Sequence, residues 1–317
     1  MTSVGARASD AVSPHRIPLR DWGSILRRAA RHVLSDRLQI FSAGISFFAV
    51  LSIAPVLVTA LSVYGAINTP EHARAQLAGL AGRLPPELEP LVAEQLTTIT
   101  AASTDVLTFR GLTGLIVALW TATTAASYLI DALTLAYHEH ESRSFLRRMG
   151  LAITVVLGGA LLLGAVIAGA GIVARVLDGA PYAVQAVAGV LAWPALTALI
   201  ATALCLLYRF VPDRHPARLR WISGGATVAA ALWLAASTGL FTYVQRLGSY
   251  ETTYGSLAGV AISMFWLWIS VFLVIAGAAV NAEAERQTAR DSTIGPERPL
   301  GERGAVVADS TPYPAKD

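Results

Sequence analysis

Charge is scarce in this chain. Only 14% of its 317 residues are charged, against 54% hydrophobic. A soluble domain carries about a quarter charged residues, so the composition excludes an ordinary soluble enzyme or binding module. Lysine is nearly missing: Lys316 is the only one, and every other basic side chain is arginine. A single cysteine, Cys205, lies inside an apolar run and excludes an intramolecular disulfide. The first 37 residues hold no short apolar segment followed by a small-residue cleavage site. No cleaved signal peptide is therefore expected, and the first span serves as the insertion signal.

Long apolar runs are what the chain does have. Six are expected to span a membrane, at residues 39–67, 111–137, 149–174, 183–210, 219–244 and 255–281. Each exceeds the ~20 residues that cross a hydrocarbon core of ~30 Å, so tilt is expected. The fold class is all-α integral membrane: a six-transmembrane-helix bundle, an N-terminal amphipathic interfacial helix and one long extracytoplasmic helical loop. The expected layout is a disordered N-terminus (1–15), an amphipathic helix (16–37) and a transmembrane domain (38–283) containing the loop 68–108. A disordered tail (284–317) follows.

Arginine placement sets the orientation. Arg16, Arg20, Arg27, Arg28, Arg31 and Arg37 precede span 1, Arg143, Arg147 and Arg148 follow span 2, and Arg209, Arg214, Arg218 and Arg220 follow span 4. The opposite loops are poorer in arginine. Both termini are expected in the cytoplasm of a bacterium, with the chain multi-pass in the plasma (inner) membrane. Tyr137, Tyr208, Phe210 and Trp221 fall at the expected inner interface; Tyr64, Phe109, Tyr182, Tyr243, Tyr250 and Tyr254 fall at the outer one.

Within the amphipathic segment, Trp22, Ile25, Leu26, Ala29 and Val33 share a helical face, with Arg27, Arg28 and Arg31 opposite. It is expected to lie on the cytoplasmic leaflet, its guanidiniums near anionic headgroups. In the long loop, Pro85-Pro86 splits two short helices. That loop reads as a cap over the bundle, or as a substrate-capture lid.

Polar groups in hydrocarbon are costly unless they face other helices or a wet cavity. Three spans carry polar stripes at helical spacing: Ser52, Pro55, Thr59 and Ser62; Trp120, Thr124, Ser127 and Asp131; Ser256, Ser263, Trp266, Ser270, Gly277 and Asn281. Two readings stand, helix packing through small hydroxyls and a polar substrate path. The candidate path residues are Ser52, Pro55, Thr124, Ser127, Asp131, Ser263, Ser270 and Asn281, with Tyr250, Glu251 and Tyr254 at an outer mouth. Asp131 reads either as an interfacial partner of Arg147 or Arg148 or as a proton-linked gate. Ala160, Gly164 and Ala168 form a small-residue stripe suited to close helix packing.

Catalytic chemistry finds no constellation. His138-Glu139-His140-Glu141 lacks the spacing that sets two imidazoles on one helical face, so no metal site is expected. A nuclease would need several carboxylates holding two metals, or a paired acid and base in a wet cleft. No phosphate-binding glycine loop, cofactor site or nucleic-acid surface is read, and topology already accounts for the arginines.

The stretches SAGISFFAVLSIAPVL (42–57), LWTATTAASYLIDAL (119–133), AYHEHESRSFLRR (136–148), LYRFVPDR (207–214) and GSYETTYGSL (248–257) are shared features. Through them the chain resembles the YihY/virulence factor BrkB family of bacterial inner-membrane proteins, called ribonuclease BN in older naming. The likeness runs from about residue 36 to 283. Two departures occur. Ala279 and Val280 stand where the family has Glu-Leu before Asn281-Ala282, and Thr134 stands where asparagine is common. If that glutamate couples an ion in relatives, Glu283 or Glu285 would have to replace it here. The resemblance implies an envelope-related role, with membrane lipids as partners and an envelope lipid or small molecule as substrate. Transport or lipid translocation is the leading expectation, a non-transporting scaffold the alternative, and a ribonuclease the least supported. Oligomeric state is left open.

Overall fold

The computed structural model describes residues 11–35, 38–67, 104–246 and 256–312. A 3-10 turn at Pro14–Arg16 leads into α1 (Leu19–Ser35). Six long helices follow: α2 (Leu38–Ile67), α3 (Thr104–Ala136), α4 (Phe145–Leu177), α5 (Tyr182–Phe210), α6 (Leu219–Arg246) and α7 (Ser256–Glu285). One turn, α8 (Val306–Asp309), completes the described elements. All six long helices have the length and apolar content to cross a membrane. The chain is thus an all-helical, multi-pass membrane protein.

The helices are where hydrophobic runs predict them, but their ends shift. α3 starts at Thr104 rather than 111, so residues 104–108 are helical and not loop; α7 runs on to Glu285. The rest of the expected loop, including Pro85-Pro86, lies outside the described residues, as do Tyr250, Glu251 and Tyr254. Apolar side chains such as Leu161, Ile167, Val190 and Leu232 point outward, as lipid-facing groups do.

By internal contacts the chain divides into two units, Phe47–Thr124 and Met1–Ser46 with Ala125–Asp317. In the first, α2 meets α3 across Gly114. A Cβ there would come to 2.8 Å from Thr59 Oγ1 and 3.1 Å from the Pro55 carbonyl. Helix α2 continues through Pro55, whose carbonyl accepts the Thr59 hydroxyl at 2.9 Å.

In the second unit, α6 packs on both α5 and α7, and α1 packs on α7. Two glycines let α6 and α7 approach closely. A Cβ on Gly225 would fall 2.6 Å from the Gly277 carbonyl; one on Gly277 would fall 2.6 Å from the Tyr208 hydroxyl and 2.7 Å from Ala229. Tyr208 then donates across to the Val274 carbonyl at 2.6 Å.

Three expectations are overturned. The small-residue stripe of α4 is exposed, and a Cβ on Gly164 would meet nothing within 4 Å. Helix α1 does not keep its whole apolar face for lipid, because Ile25, Ala29 and Val33 are buried against protein. Ile25 and the half-buried Trp22 join Ala11, Ile17, Trp221 and Ala284 in one apolar cluster, so residues 11–15 are structured too.

The tail is the third correction. Residues 286–312 fold as a cap stitched by polar contacts rather than by apolar periodicity. Thr293 bridges Ala217. The Ile294 amide donates to the Pro216 carbonyl at 3.1 Å, and the Arg218 amide to Ser292 at 2.9 Å. Arg303 is buried and donates to the carbonyls of Ala289, Arg290, Arg298 and Ala308. Asp309 accepts amides from Gly301, Arg303 and Gly304. Such local pairing satisfies buried backbone without a hydrophobic pattern, which is why composition misreads it as disorder.

Candidate functional site

The expected path residues that are described fall in two units. Ser52, Pro55 and Thr124 belong to the Phe47–Thr124 unit and the other five described ones to the second. The Ser52 hydroxyl donates to the Ala49 carbonyl at 2.6 Å and Thr124 to Trp120 at 2.7 Å. Both bonds stay within one helix. Asn281 is buried and staples α7 to α6: its oxygen accepts the Gly225 amide at 2.8 Å and its NH2 donates to the Ile222 carbonyl at 2.9 Å. Asp131 pairs with Arg148, which also reaches the Ser127 carbonyl at 3.4 Å. Arg148 is one of the two partners the sequence offers for it.

Ser270 and Ser263 have different company. The Trp233 indole donates to the Ser270 hydroxyl at 2.8 Å, and the Trp266 indole to Ser237 at 3.0 Å. This makes a reciprocal clasp between α6 and α7, with the two rings 6.0 Å apart. A largely apolar crevice opens on either side of it. One, of about 400 Å³, is lined by Ser237, Phe241, Ser263 and Trp266; the other, of about 240 Å³, by Leu204, Ala229, Trp233 and Ser270. Both are partly open rather than enclosed.

The densest chemistry lies where α7 ends among the arginine-rich loops, the basic end. Glu283 and Glu285 are two residues apart on a helix and so point to different sides. Glu283 accepts from Arg28 of α1 at 2.7 Å, from Arg286 at 2.9 Å and from His138 at 3.0 Å. Glu285 takes a two-pronged pair from Arg214, at 2.6 and 3.0 Å, and a hydroxyl from Ser292 at 2.5 Å. The Arg214 guanidinium also lies 4.9 Å from the Tyr137 ring centre. Burial of both carboxylates demands such pairing.

Local backbone geometry delivers His138 to this cluster. Helix α3 ends with the His138 amide bonded to the Leu135 carbonyl at 2.8 Å and the Glu139 amide to Thr134 at 3.0 Å. That is a Schellman ending, and His138 occupies its left-handed position at φ 60°. A glycine would sit there without strain. Histidine brings a side chain instead, stacked on His32 at 3.9 Å between ring centres and bonded to Glu283.

Charges beside the cluster hold the loops and the tail. Asp213 accepts the Ser142 amide and hydroxyl, at 2.8 and 2.6 Å, and faces Arg143 at 3.2 Å. Burial pushes its carboxyl up, but these partners outweigh it and leave it below the ordinary range. Asp291 behaves alike. Burial opposes ionisation, while the Thr293 hydroxyl and amide, the Arg298 amide and the Arg303 charge lower the carboxyl overall. Glu139 goes the other way: burial raises it more than the Val306 amide and Arg214 lower it.

The sequence offered Glu283 and Glu285 only as stand-ins for a missing family glutamate and assigned Arg28 and Arg214 to topology, so the pairing itself was not foreseen. The available signal was the NAEAE ending of α7, two carboxylates just past a span, which arginines reach from two other segments and from Arg286 beside them. Among the described residues no trio of His, Cys, Asp or Glu is placed to hold a metal ion.

The family model described as "Virulence factor BrkB" matches residues 29–301. YfkH of Bacillus subtilis, whose name carries a provisional "ribonuclease-like" tag, is 26% identical over 251 residues, covering 76% of this chain and 88% of its own. A UPF0761 membrane protein of Ralstonia nicotianae is 28% identical over 280 residues, 83% of this chain; the chain spans 60% of that protein's length. Another, from Tolumonas auensis, is 25% identical over 261 residues, covering 80% and 82%. No solved structure matches the chain.

Proposed function

This chain belongs to the virulence factor BrkB family, and we propose that it moves an amphiphilic, envelope-lipid-like substrate along the lipid-facing side of the α6–α7 pair. The observation that carries the reading is the pair of crevices on either side of the Trp233–Trp266 clasp. Their walls are apolar and suit acyl chains. The only polar groups on offer are hydroxyls and indoles such as Ser237, Ser263 and Ser270. Two indole–hydroxyl bonds are a modest barrier, each on the order of 1 kcal/mol in a membrane interior. A substrate of this kind could part them without unfolding the helices. The path originally expected, using Ser52, Asp131 and Asn281, gains less support, because those groups bond within helices, to Arg148 or to backbone.

Orientation is part of the proposal: the basic end and both termini face the cytoplasm of a bacterial plasma membrane. Purified protein in liposomes is expected to speed transbilayer movement of a fluorescent phospholipid. Ser263→Phe, which fills the larger crevice from an exposed position, is expected to stop that movement while leaving the unfolding temperature unchanged. If no lipid or solute in a broad panel moves, or Ser263→Phe moves lipid at the original rate, the reading fails.

A scaffold is the second reading, favoured by the ordered cap that α1, the loops and the tail build at the basic end. Crosslinking in cells would then recover a stoichiometric partner, and crevice substitutions would leave that complex intact. The ribonuclease reading draws on the family's older name and on that of YfkH. It requires RNA cleavage that disappears on changing Glu139 or Glu141, although the Glu139 carboxylate already accepts the Val306 amide at 2.7 Å.

A further inference from the structure

On a different face of α6, at its basic end, lies a third crevice, of about 320 Å³, walled by Pro14, His15, Trp22, Gly224 and Thr227 and closed on one side by Val280. We propose that it is a binding site for one anionic phospholipid, with the phosphate at the His15–Arg16–Arg220 rim and an acyl chain along Gly224, Thr227 and Val228.

Four observations meet here. First, the lining changes from polar to apolar along α6. Along α6 it runs from Ser223, with His15 also in the lining, to Val228, which is half exposed. Val228 is eight residues beyond Arg220, about 12 Å deeper at 1.5 Å per residue. Helix α6 has 28 residues, about 42 Å, so its first turn extends past a ~30 Å hydrocarbon core into the headgroup layer. A water-soluble anion would have no use for the apolar half.

Second, the rim holds cations to spare. Arg16 and Arg220 are exposed, and their guanidiniums make no ion pair or hydrogen bond among the described residues, unlike those of Arg28, Arg143, Arg214 and Arg218 nearby in the fold. Arg220 is one turn before Gly224 on the same helical face. His15 and Arg16 come together from the 3-10 turn.

Third, the wall is built rather than loose. Trp22 is fixed by packing on the cluster of Ile17, Ile25, Trp221 and Ala284. Tryptophan is a residue type that favours the membrane interface.

Fourth, adjacent glycines divide by purpose. Gly225 is required by packing, since a Cβ would collide with Asn281 and Gly277. Gly224 is under no such demand: a Cβ there would meet only Pro14, at an ordinary 3.9 Å. What its missing side chain leaves open is the floor of the crevice.

The site rests on these features alone and not on the translocation reading, and its test has no transport readout. Full-length protein is delipidated in detergent and offered phosphatidylglycerol or phosphatidylcholine of identical chains, with retention read by native mass spectrometry. The wild type is expected to keep one phosphatidylglycerol, about tenfold in preference to phosphatidylcholine, since two rim guanidiniums meet a headgroup of net charge −1 in the first and a zwitterion in the second. Arg16→Gln with Arg220→Gln should erase the preference, and Gly224→Leu should cut retention of both lipids. A photoactivatable acyl chain should label the peptides holding Trp22 and Thr227. Equal retention of the two lipids by the wild type overturns the proposal. So does undiminished retention by either variant when its lipid-free unfolding temperature matches the wild type.

Discussion

Glu285→Ala is the perturbation most sharply specified by the geometry. The Arg214 and Glu285 side chains are 2% and 1% exposed, so deleting the carboxylate leaves a guanidinium in low dielectric. The Tyr137 ring, the His215 carbonyl at 3.2 Å and the nearby Glu139 charge would remain to it, none of them a paired carboxylate. Removing one partner of a buried pair costs about 3–5 kcal/mol, most of it the desolvation of the stranded charge. Replacing both partners by apolar residues of similar volume, as in Arg214→Met with Glu285→Leu, is expected to be near neutral, since the desolvation of both ions disappears with their attraction. Ser292 then loses its acceptor, a further cost of about 1 kcal/mol. The order should therefore be wild type, then the double variant, then Glu285→Ala far below. Unfolding temperature in detergent reads the global effect, and hydrogen exchange over residues 286–312 reads the local one, because Ser292 ties the tail to this pair. Additive losses, with the double variant worse than the single, would show that the pair is not buried as described. An unchanged Glu285→Ala protein would refute the reasoning outright.

Three further outcomes follow from other contacts. His138→Ala and His138→Gly both remove the contacts to Glu283 and His32, but only alanine bears the left-handed backbone, so it should be less stable by about 1–2 kcal/mol in thermal unfolding. Gly114→Ala drives a methyl into Thr59 and the Pro55 carbonyl and should cost about 1–3 kcal/mol, with loss of protease resistance in the Phe47–Thr124 unit. Asp291 titrates below its unfolded value of about 3.9. Its contribution to the tail is thus fully present above that pH and is lost as pH falls through the lower folded value. Exchange protection of residues 290–303 should drop in acid below about pH 4; Asp291→Asn should show the drop already at neutral pH, and a pH-independent wild type would contradict the assignment.

Legibility varied with the kind of interaction. The α6–α7 crossing was half readable: Gly277 and Asn281 stood out as a stripe, yet whether Asn281 faces a cavity or a backbone depends on Gly225, 56 residues away. His138 looked like part of a failed metal motif because spacing along the chain says nothing about a Schellman turn that swings it over Glu283. The tail looked disordered because its order comes from Asp291, Arg303 and Asp309 serving backbone groups a few residues away, and hydrophobic periodicity cannot register that.

Six apolar helices, their approximate ends and the family likeness come from composition and local pattern alone. Transfer into hydrocarbon is nearly additive along the chain, and a helix satisfies its own backbone wherever its neighbours are. The partners of the buried charges, the crevices along α6 and the docking of α1 are another matter. They depend on which side chains from distant segments meet in low dielectric, where one ångström or one missing methyl decides between a salt bridge, a staple and an open groove. That information is in the contacts, and only folding creates them.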